Sequence, residues 1–291
     1  MASRRVRLIV NPSAGGGRAA RVLPEVQDAL RAHGLPVVTS PTRSLEHARE
    51  LAREAAAEGE VAAALGGDGL AGAVAGALIG TDGVLGVLPG GRGNDLARVL
   101  GIPRRPRKAA DVLARGAERP LDLAEVDGAP YCGIASCGFD SHVNRIANAA
   151  PARLGNLVYL YGTLRALAAW TPAHFSLELD GRAGELTGYA VAAANSGTYG
   201  GGMRLAPDAR LDDGLLDVVT TGDVSKRRFL AQLPKVFRGT HVNNPEVVVA
   251  RAGELRIAAD RPFTVYADGD PIGDLPVTVR ALPAAVRVIA P

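Results

Sequence analysis

Val61-Ala62-Ala63-Ala64-Leu65-Gly66-Gly67-Asp68-Gly69-Leu70 is the stretch from which the fold of this chain unfolds in both directions. A short, unbroken apolar run that ends on glycines has the pattern of a strand buried on both faces. Residues 70–79 then continue as a helix. Glycines let the backbone approach a phosphate closely, and the helix that follows offers unpaired N–H groups and a positive dipole end. Asp68 repels a bare phosphate in that position. A bridging Mg²⁺, or a hydroxyl that donates its proton to the carboxylate, removes the conflict. The plainer alternative is a tight turn with Asp68 as helix N-cap. Taken alone, the turn does not choose between them.

Working outward, the same alternation repeats. Leu8-Ile9-Val10 reads as a strand, residues 19–31 as an amphipathic helix ending near His33-Gly34, residues 35–39 as a second strand and residues 44–58 as a strong helix. Residues 83–88 form a fourth strand, with helices over 95–100 and 108–115. Strands and helices joined by short connections predict a parallel sheet covered on both faces, an α/β, Rossmann-like domain. Pro89-Gly90-Gly91-Arg92-Gly93-Asn94-Asp95 is a second glycine turn feeding a helix. It lies beside the first at the carboxyl edge of the sheet, where such folds bind ligands. The first loop, Asn11-Pro12-Ser13-Ala14-Gly15-Gly16-Gly17-Arg18-Ala19-Ala20, contains a weak dinucleotide fingerprint. The acidic residue that a dinucleotide site needs is missing, because Thr39-Ser40-Pro41-Thr42-Arg43 stands there. No Gly-Lys-Ser or Gly-Lys-Thr follows any of these loops, which excludes a Walker-type site.

The pattern changes after about Pro120. Residues 131–136, 175–179, 189–194 and 215–220 read as strands, and Asp127-Gly128 and Asp180-Gly181 as hairpin turns. Helices are expected over 153–170 and 225–238, and further strands over 246–250, 254–258, 263–267 and 277–282. The expected organisation is an α/β domain over 1–122 and a mostly antiparallel β domain over 123–291. Val286-Arg287-Val288-Ile289 is compatible with either. The 291 residues, 47% apolar and 22% charged, describe an ordinary globular chain. A formal charge of +3 and 4% aromatics give no footprint for nucleic acid. Two cysteines, Cys132 and Cys137, fit a reduced, cytoplasmic compartment. No signal peptide or spanning helix is expected, and the five scattered histidines lack zinc spacing. Ser13 and Ser196 lack a nucleophile-elbow context.

Taken in order, the motifs resemble the diacylglycerol kinase and sphingosine kinase superfamily of lipid kinases. The matching set is Asn11-Pro12 with its glycines, Gly66-Gly67-Asp68-Gly69, Gly91-Arg92-Gly93-Asn94-Asp95 and Asn195-Ser196-Gly197 with Tyr199-Gly200-Gly201-Gly202. It continues with Ala206-Pro207-Asp208-Ala209, Asp212-Asp213-Gly214-Leu215-Leu216-Asp217 and Asp268-Gly269-Asp270. The resemblance implies an N-terminal domain of NAD kinase/phosphofructokinase type followed by a β-sandwich. It implies ATP contacts at Asn11, Pro12, Ser13, Ala14, Gly15, Thr42, Gly66, Gly67, Asp68, Gly69, Leu70, Ala71, Gly72, Arg92 and Asn94. Asp68, Asp95 and Asp122 would organise catalytic Mg²⁺, and Asp270 stands at the family's proton-accepting carboxylate, with Asp68 as its competitor. A second, structural Mg²⁺ would use the Asp213 side chain and the carbonyls of Arg210 and Leu215.

This chain departs from the family in places. Leu70-Ala71-Gly72 replaces the usual Thr-x-Asn, although sphingosine kinases also carry Leu first. Arg92 replaces Thr or Ser, and Asp270 replaces Glu, which shortens its reach by one methylene. The expected partner is a membrane lipid, diacylglycerol before a long-chain base, met at the inner face of an anionic membrane. The basic residues Lys226, Arg227, Arg228, Lys235 and Arg238, or Arg104, Arg105, Arg107 and Lys108, would supply the attraction. Residues 154–170 offer either an acyl entrance or ordinary core. A homodimer is compatible with the sequence. The rivals are an NAD kinase, which shares the first glycine turn, and a non-catalytic lipid- or nucleotide-binding protein.

Overall fold

The computed structural model describes residues 4–149 and 158–291. Its first half runs β1 (Val6–Val10), α1 (Ala14–Ala32), β2 (Val37–Pro41), α2 (Leu45–Ala57), β3 (Val61–Gly66), α3 (Asp68–Leu78), β4 (Val84–Pro89), α4 (Asp95–Val99) and α5 (Pro106–Arg115). β3 is buried along its whole length and pairs in parallel with β1 and β4, so its alanines and leucine are covered on both faces. Helix ends carry their expected devices. Ser44 Oγ accepts the His47 N–H at the start of α2, and Pro106 opens α5. The regular part of α1 begins only after Gly17, as Gly15, Gly16 and Gly17 all have positive φ.

The second half runs β5 (Ala117–Val126), β6 (Ala129–Tyr131), β7 (Ile134–Gly138), α6 (Phe139–Ala149), α7 (Val158–Ala169), β8 (Ala173–Leu179), β9 (Arg182–Ala194), β10 (Leu216–Gly222), α8 (Lys226–Arg238), β11 (Val247–Ala252), β12 (Glu254–Ala259), β13 (Thr264–Ala267), β14 (Asp270–Asp274) and β15 (Val277–Ala290). Its pairings are antiparallel except where β15 meets β4. The fold is therefore α/β with a mostly antiparallel β-sandwich appended. The expected helix over 153–170 is observed as α7; the portion before Val158 lies outside the described residues.

Several expectations are corrected. The strand expected over 131–136 is broken into β6 and β7, because the N–H groups of Cys132 and Gly133 turn to the Asp268 carboxylate instead of a ladder. Helix α6 and strands β5 and β14 were not legible. Pro120 and the polar residues of β5 mask its pattern, and the Asp-Gly-Asp that opens β14 looks like turn alone. β15 settles the ambiguous end of the chain. Val277–Ile257 pairing holds it in the antiparallel sheet, while Arg287 and Val288 pair in parallel with Val84 and Leu85 of β4. β5 runs beside β15 for most of that length, from Val126 opposite Val279 to Ala117 opposite Ala290. This ribbon fixes the two halves against each other, and the site lies at that junction.

Candidate active site

Parallel order places the ends of β1, β3 and β4 side by side, so their three glycine turns meet. Backbone hydrogen bonds tie them: Asn11 N–H donates to Leu65 O (3.2 Å) and Gly90 N–H to Gly66 O (2.7 Å). The approach is close enough to demand glycine. A Cβ on Gly91 would sit 2.4 Å from Gly67 Cα, and one on Gly15 would sit 2.6 Å from Gly90 O. Side chains stiffen the turns from within. Asn11 Oδ1 accepts the Ser13 N–H (3.1 Å) and hydroxyl (2.8 Å). Asn94, left-handed at φ 56°, accepts the Gly91 N–H (2.8 Å) and donates to Gly91 O (2.9 Å).

Asp68 is not the cap of its own helix. Gly67 occupies that position, and Asp68 Oδ1 instead accepts the Leu96 N–H (3.0 Å), capping α4 across the gap. Its other oxygen faces Gly93: a Cβ there would lie 2.8 Å from Asp68 Oδ2 and 3.3 Å from Asp95 Oδ2. Asp95 Oδ2 also accepts the Gly201 N–H (2.7 Å), and Asp95 Oδ1 pairs with Arg98. Burial, with the nearby Asp68 charge, holds the Asp95 carboxyl above its ordinary range against the opposing effects of Gly201 and Arg98. Two carboxylates thus face one space at some electrostatic cost. Asp270 reaches the same glycine turn from the other half of the chain: its Oδ2 lies 3.9 Å from where a Gly69 Cβ would stand, and the residue is exposed.

The remaining predicted residues fall into distinct positions. Thr42 directly follows β2, its N–H donating to Val10 O (2.7 Å). Arg92 is exposed and forms no ion pair among the described residues. Leu70 and Ala71 are buried in the core, so only their backbone is available to a ligand. A Cβ on Gly72 would stand at ordinary contact distance from Cys132 Sγ (3.9 Å). The structure does not bring Asp122 into the acidic group. Its oxygens accept the Gly214 N–H and the Ala284 N–H (2.6 Å each), so this buried carboxylate joins the Asp213 loop to β15. In that loop Asp213 Oδ1 accepts the Leu215 N–H (3.2 Å), and Arg210 pairs with Asp212 (3.0 Å). Arg251 lies 3.4 Å from Asp217, whose other oxygen is buried without a hydrogen-bond partner. Among the described residues no cluster of three or more His, Cys, Asp or Glu side chains is arranged to enclose a metal.

Sequence reasoning assigned no role to three groups that the fold brings to the site. Gly201 N–H reaches Asp95 through a glycine run that was visible as a motif but gave no partner. Asp140, at the start of α6, sits against Ser136 and the Tyr199 hydroxyl (3.5 Å), and burial pushes its carboxyl up to about 6. Asp268 is likewise pushed up to about 6, by burial first and by the Asp68 charge among lesser causes, against three backbone hydrogen bonds. Cys132, beside both acids, has its thiol raised well above the ordinary range by burial and their charge.

A nucleotide-type glycine edge crossed by carboxylates from an appended β-sandwich defines a two-part class, and the comparisons place the chain in it. Residues 5–126 match the family model of the diacylglycerol kinase catalytic domain, and residues 133–290 match the YegS C-terminal NAD kinase beta sandwich-like domain; the chain belongs to this family. Among curated relatives it is 34% identical to a Mycobacterium tuberculosis protein named diacylglycerol kinase, over 99% of this chain and 95% of that one. It is 30% identical to a Bacillus subtilis diacylglycerol kinase, over 99% and 97% of the two chains. The crystal structure of a diacylglycerol kinase from Bacillus anthracis superposes with a TM-score of 0.84 at 23% identity, covering 100% of this chain and 98% of that one, which shows the shared fold.

Proposed function

We propose that this chain is a lipid kinase that transfers the γ-phosphoryl group of ATP to a lipid hydroxyl, most readily that of diacylglycerol, giving phosphatidic acid. The observation that carries the proposal is that Asp270 of the β-sandwich stands beside Gly69, in the turn that also carries Asp68, whose free oxygen faces Gly93 together with Asp95. An α/β domain that only bound a nucleotide has no need of the second domain's carboxylate. The turns offer backbone N–H groups to phosphates, and exposed Arg92 adds a fixed charge beside them. Phosphoryl transfer asks chiefly for positioning and charge stabilisation.

The paired oxygens of Asp68 and Asp95 fit a hard divalent cation, which keeps its waters and binds through one or two carboxylates and phosphates. Asp68 and Asp95 would hold Mg²⁺ there, and it would supply charge neutralisation to the transferring phosphate. The second set, Asp213 with the Arg210 and Leu215 carbonyls, also fits an oxygen-coordinated ion, given the unpartnered Asp217 oxygen in the same neighbourhood. Asp122 does not join either set; its role is to hold the Asp213 loop.

In the reaction the lipid hydroxyl oxygen bonds to the γ-phosphorus, the bond to the β–γ bridging oxygen breaks, and ADP leaves. The hydroxyl proton passes to a carboxylate. Asp270 is assigned this step because Asp68 Oδ1 is already committed to capping α4. General-base catalysis is worth about 10²–10⁴-fold. Peripheral contact with an anionic membrane inside the cell follows from the substrate. No helix among the described residues is long and apolar enough to cross a membrane. α8 exposes Arg227, Lys235 and Arg238 and, separately, Phe237, side chains suited to contact with an anionic bilayer.

Incubation with γ-labelled ATP, Mg²⁺ and a panel of diacylglycerol, long-chain base and NAD tests the reading. Label in phosphatidic acid, dependent on Mg²⁺, is expected. Label in NAD alone, or in no acceptor, overturns it. Asp270→Asn is expected to lower kcat about 10²–10⁴-fold; full turnover in that variant with none in Asp68→Asn moves the base to Asp68.

A further inference from the structure

Asp268 follows β13 in a left-handed conformation (φ 52°) and, with Gly269 (φ 97°), makes the two-residue turn into β14. The paired residues flanking this turn are Ala267 and Asp270. β13 pairs with β7 through Tyr266 with Ser136 and Ala267 with Ala135, and there the regular ladder stops. The Asp268 side chain extends it. Its backbone N–H donates to Ile134 O (3.2 Å), while Oδ1 accepts the Ile134 N–H (3.1 Å). Oδ2 accepts the N–H groups of both Cys132 (3.0 Å) and Gly133 (3.1 Å). One carboxylate thus satisfies three successive backbone donors in the break between β6 and β7. Only an ionised carboxylate has acceptors on both arms; an amide presents one oxygen and one NH₂. The seat is shaped for it, as a Cβ on Gly133 would fall 2.2 Å from Asp268 Oδ1.

We propose that Asp268 is a positioning residue for phosphoryl transfer: seated on the amides of Cys132, Gly133 and Ile134, it holds the hairpin tip so that Asp270 stands over Gly69. The inference rests on the reading of Asp270 as proton acceptor. β14 is bound to β13 alone among the described strands, and its first residue is exposed. Asp270 has a short side chain, so its reach to a hydroxyl depends on where the backbone is held. A misplacement of about 1 Å costs on the order of 10²-fold in rate.

The test compares kcat and the KM for ATP in Asp268→Asn, Gly133→Ala, Asp270→Asn and the double variant Asp268→Asn/Asp270→Asn, each with a melting curve. Gly133→Ala leaves the carboxylate intact and displaces it sterically. Both single changes at the seat are expected to lower kcat about 10–100-fold with ATP KM within about twofold of wild type. The double variant is expected to be no slower than Asp270→Asn alone, because the staple acts through Asp270. A double variant slowed by the product of the single effects overturns the proposal, as does wild-type kcat in Asp268→Asn. Loss of cooperative melting in both seat variants also overturns it, in favour of a purely structural role. Wild-type turnover in Asp270→Asn removes the base assignment itself, whereas a slow Asp270→Asn with an additive double variant removes only the positioning role.

Discussion

Replacing Gly91 by alanine probes the contact on which the nucleotide edge depends. The new Cβ would lie 2.4 Å from Gly67 Cα, 3.0 Å from Gly67 N and 3.3 Å from Asn94 Oδ1. Carbon atoms in contact rest at about 3.5–4.0 Å, so the turns that carry Gly67 and Gly91 must part by roughly 1 Å. Both opposing Gly67 atoms are backbone, which leaves no flexible side chain to absorb the movement. Gly91 N–H would draw away from Asn94 Oδ1, and Leu96 N–H from Asp68, loosening both acids. Overpacking of this kind costs about 1–3 kcal/mol of stability, and the displaced carboxylates predict a loss of about 10²-fold in kcat/KM. The measurements are thermal melting and lipid phosphorylation with ATP varied. Gly93→Ala provides a contrast, since its Cβ would press on the Asp68 carboxylate (2.8 Å) rather than on backbone; it should lose activity with a smaller change in stability. Wild-type melting and wild-type kcat/KM in Gly91→Ala would show that the turns are not packed as described.

Three further outcomes are expected. Asp122→Ala orphans the Gly214 and Ala284 N–H groups, and at about 1–3 kcal/mol for each unsatisfied donor it should destabilise by about 2–6 kcal/mol in urea unfolding; a main effect on ATP KM with unchanged stability would contradict its structural placement. The Asp140 carboxyl is raised to about 6 by burial, so between about pH 4 and pH 6 the folded state holds a proton that the unfolded state has released. Its contribution is therefore full below the unfolded value and lost as pH rises through 6; melting of wild type relative to Asp140→Asn should fall across that window, and a flat or rising difference refutes the assignment. Cys132 and Cys137 are buried with raised thiol values, so both should resist alkylation at pH 8 in the folded protein and react on unfolding.

The alternation of apolar runs and helices was enough to predict the parallel sheet, since β1, β3 and β4 each carry a local pattern that only a doubly covered strand needs. The glycine turns were equally legible, because close backbone approach and left-handed φ leave glycine as their direct record. Asp68, Asp95 and Asp270 were found through ordered motifs, yet their placement around the glycine turns was not written in any one segment. Asp270 reaches Gly69 only because β13 pairs with β7, and β5 and β15 lock the two halves together. The roles of Asp122 and Asp268 went the other way. Each looks like an active-site acid or a turn residue in the sequence, and each spends its oxygens on backbone donors from distant segments. Hydrogen-bond partners 92 to 162 residues away leave no local periodicity behind them. Local pattern therefore determined the elements and the phosphate turns, while long-range pairing alone decided which carboxylates are free for chemistry and which hold the fold.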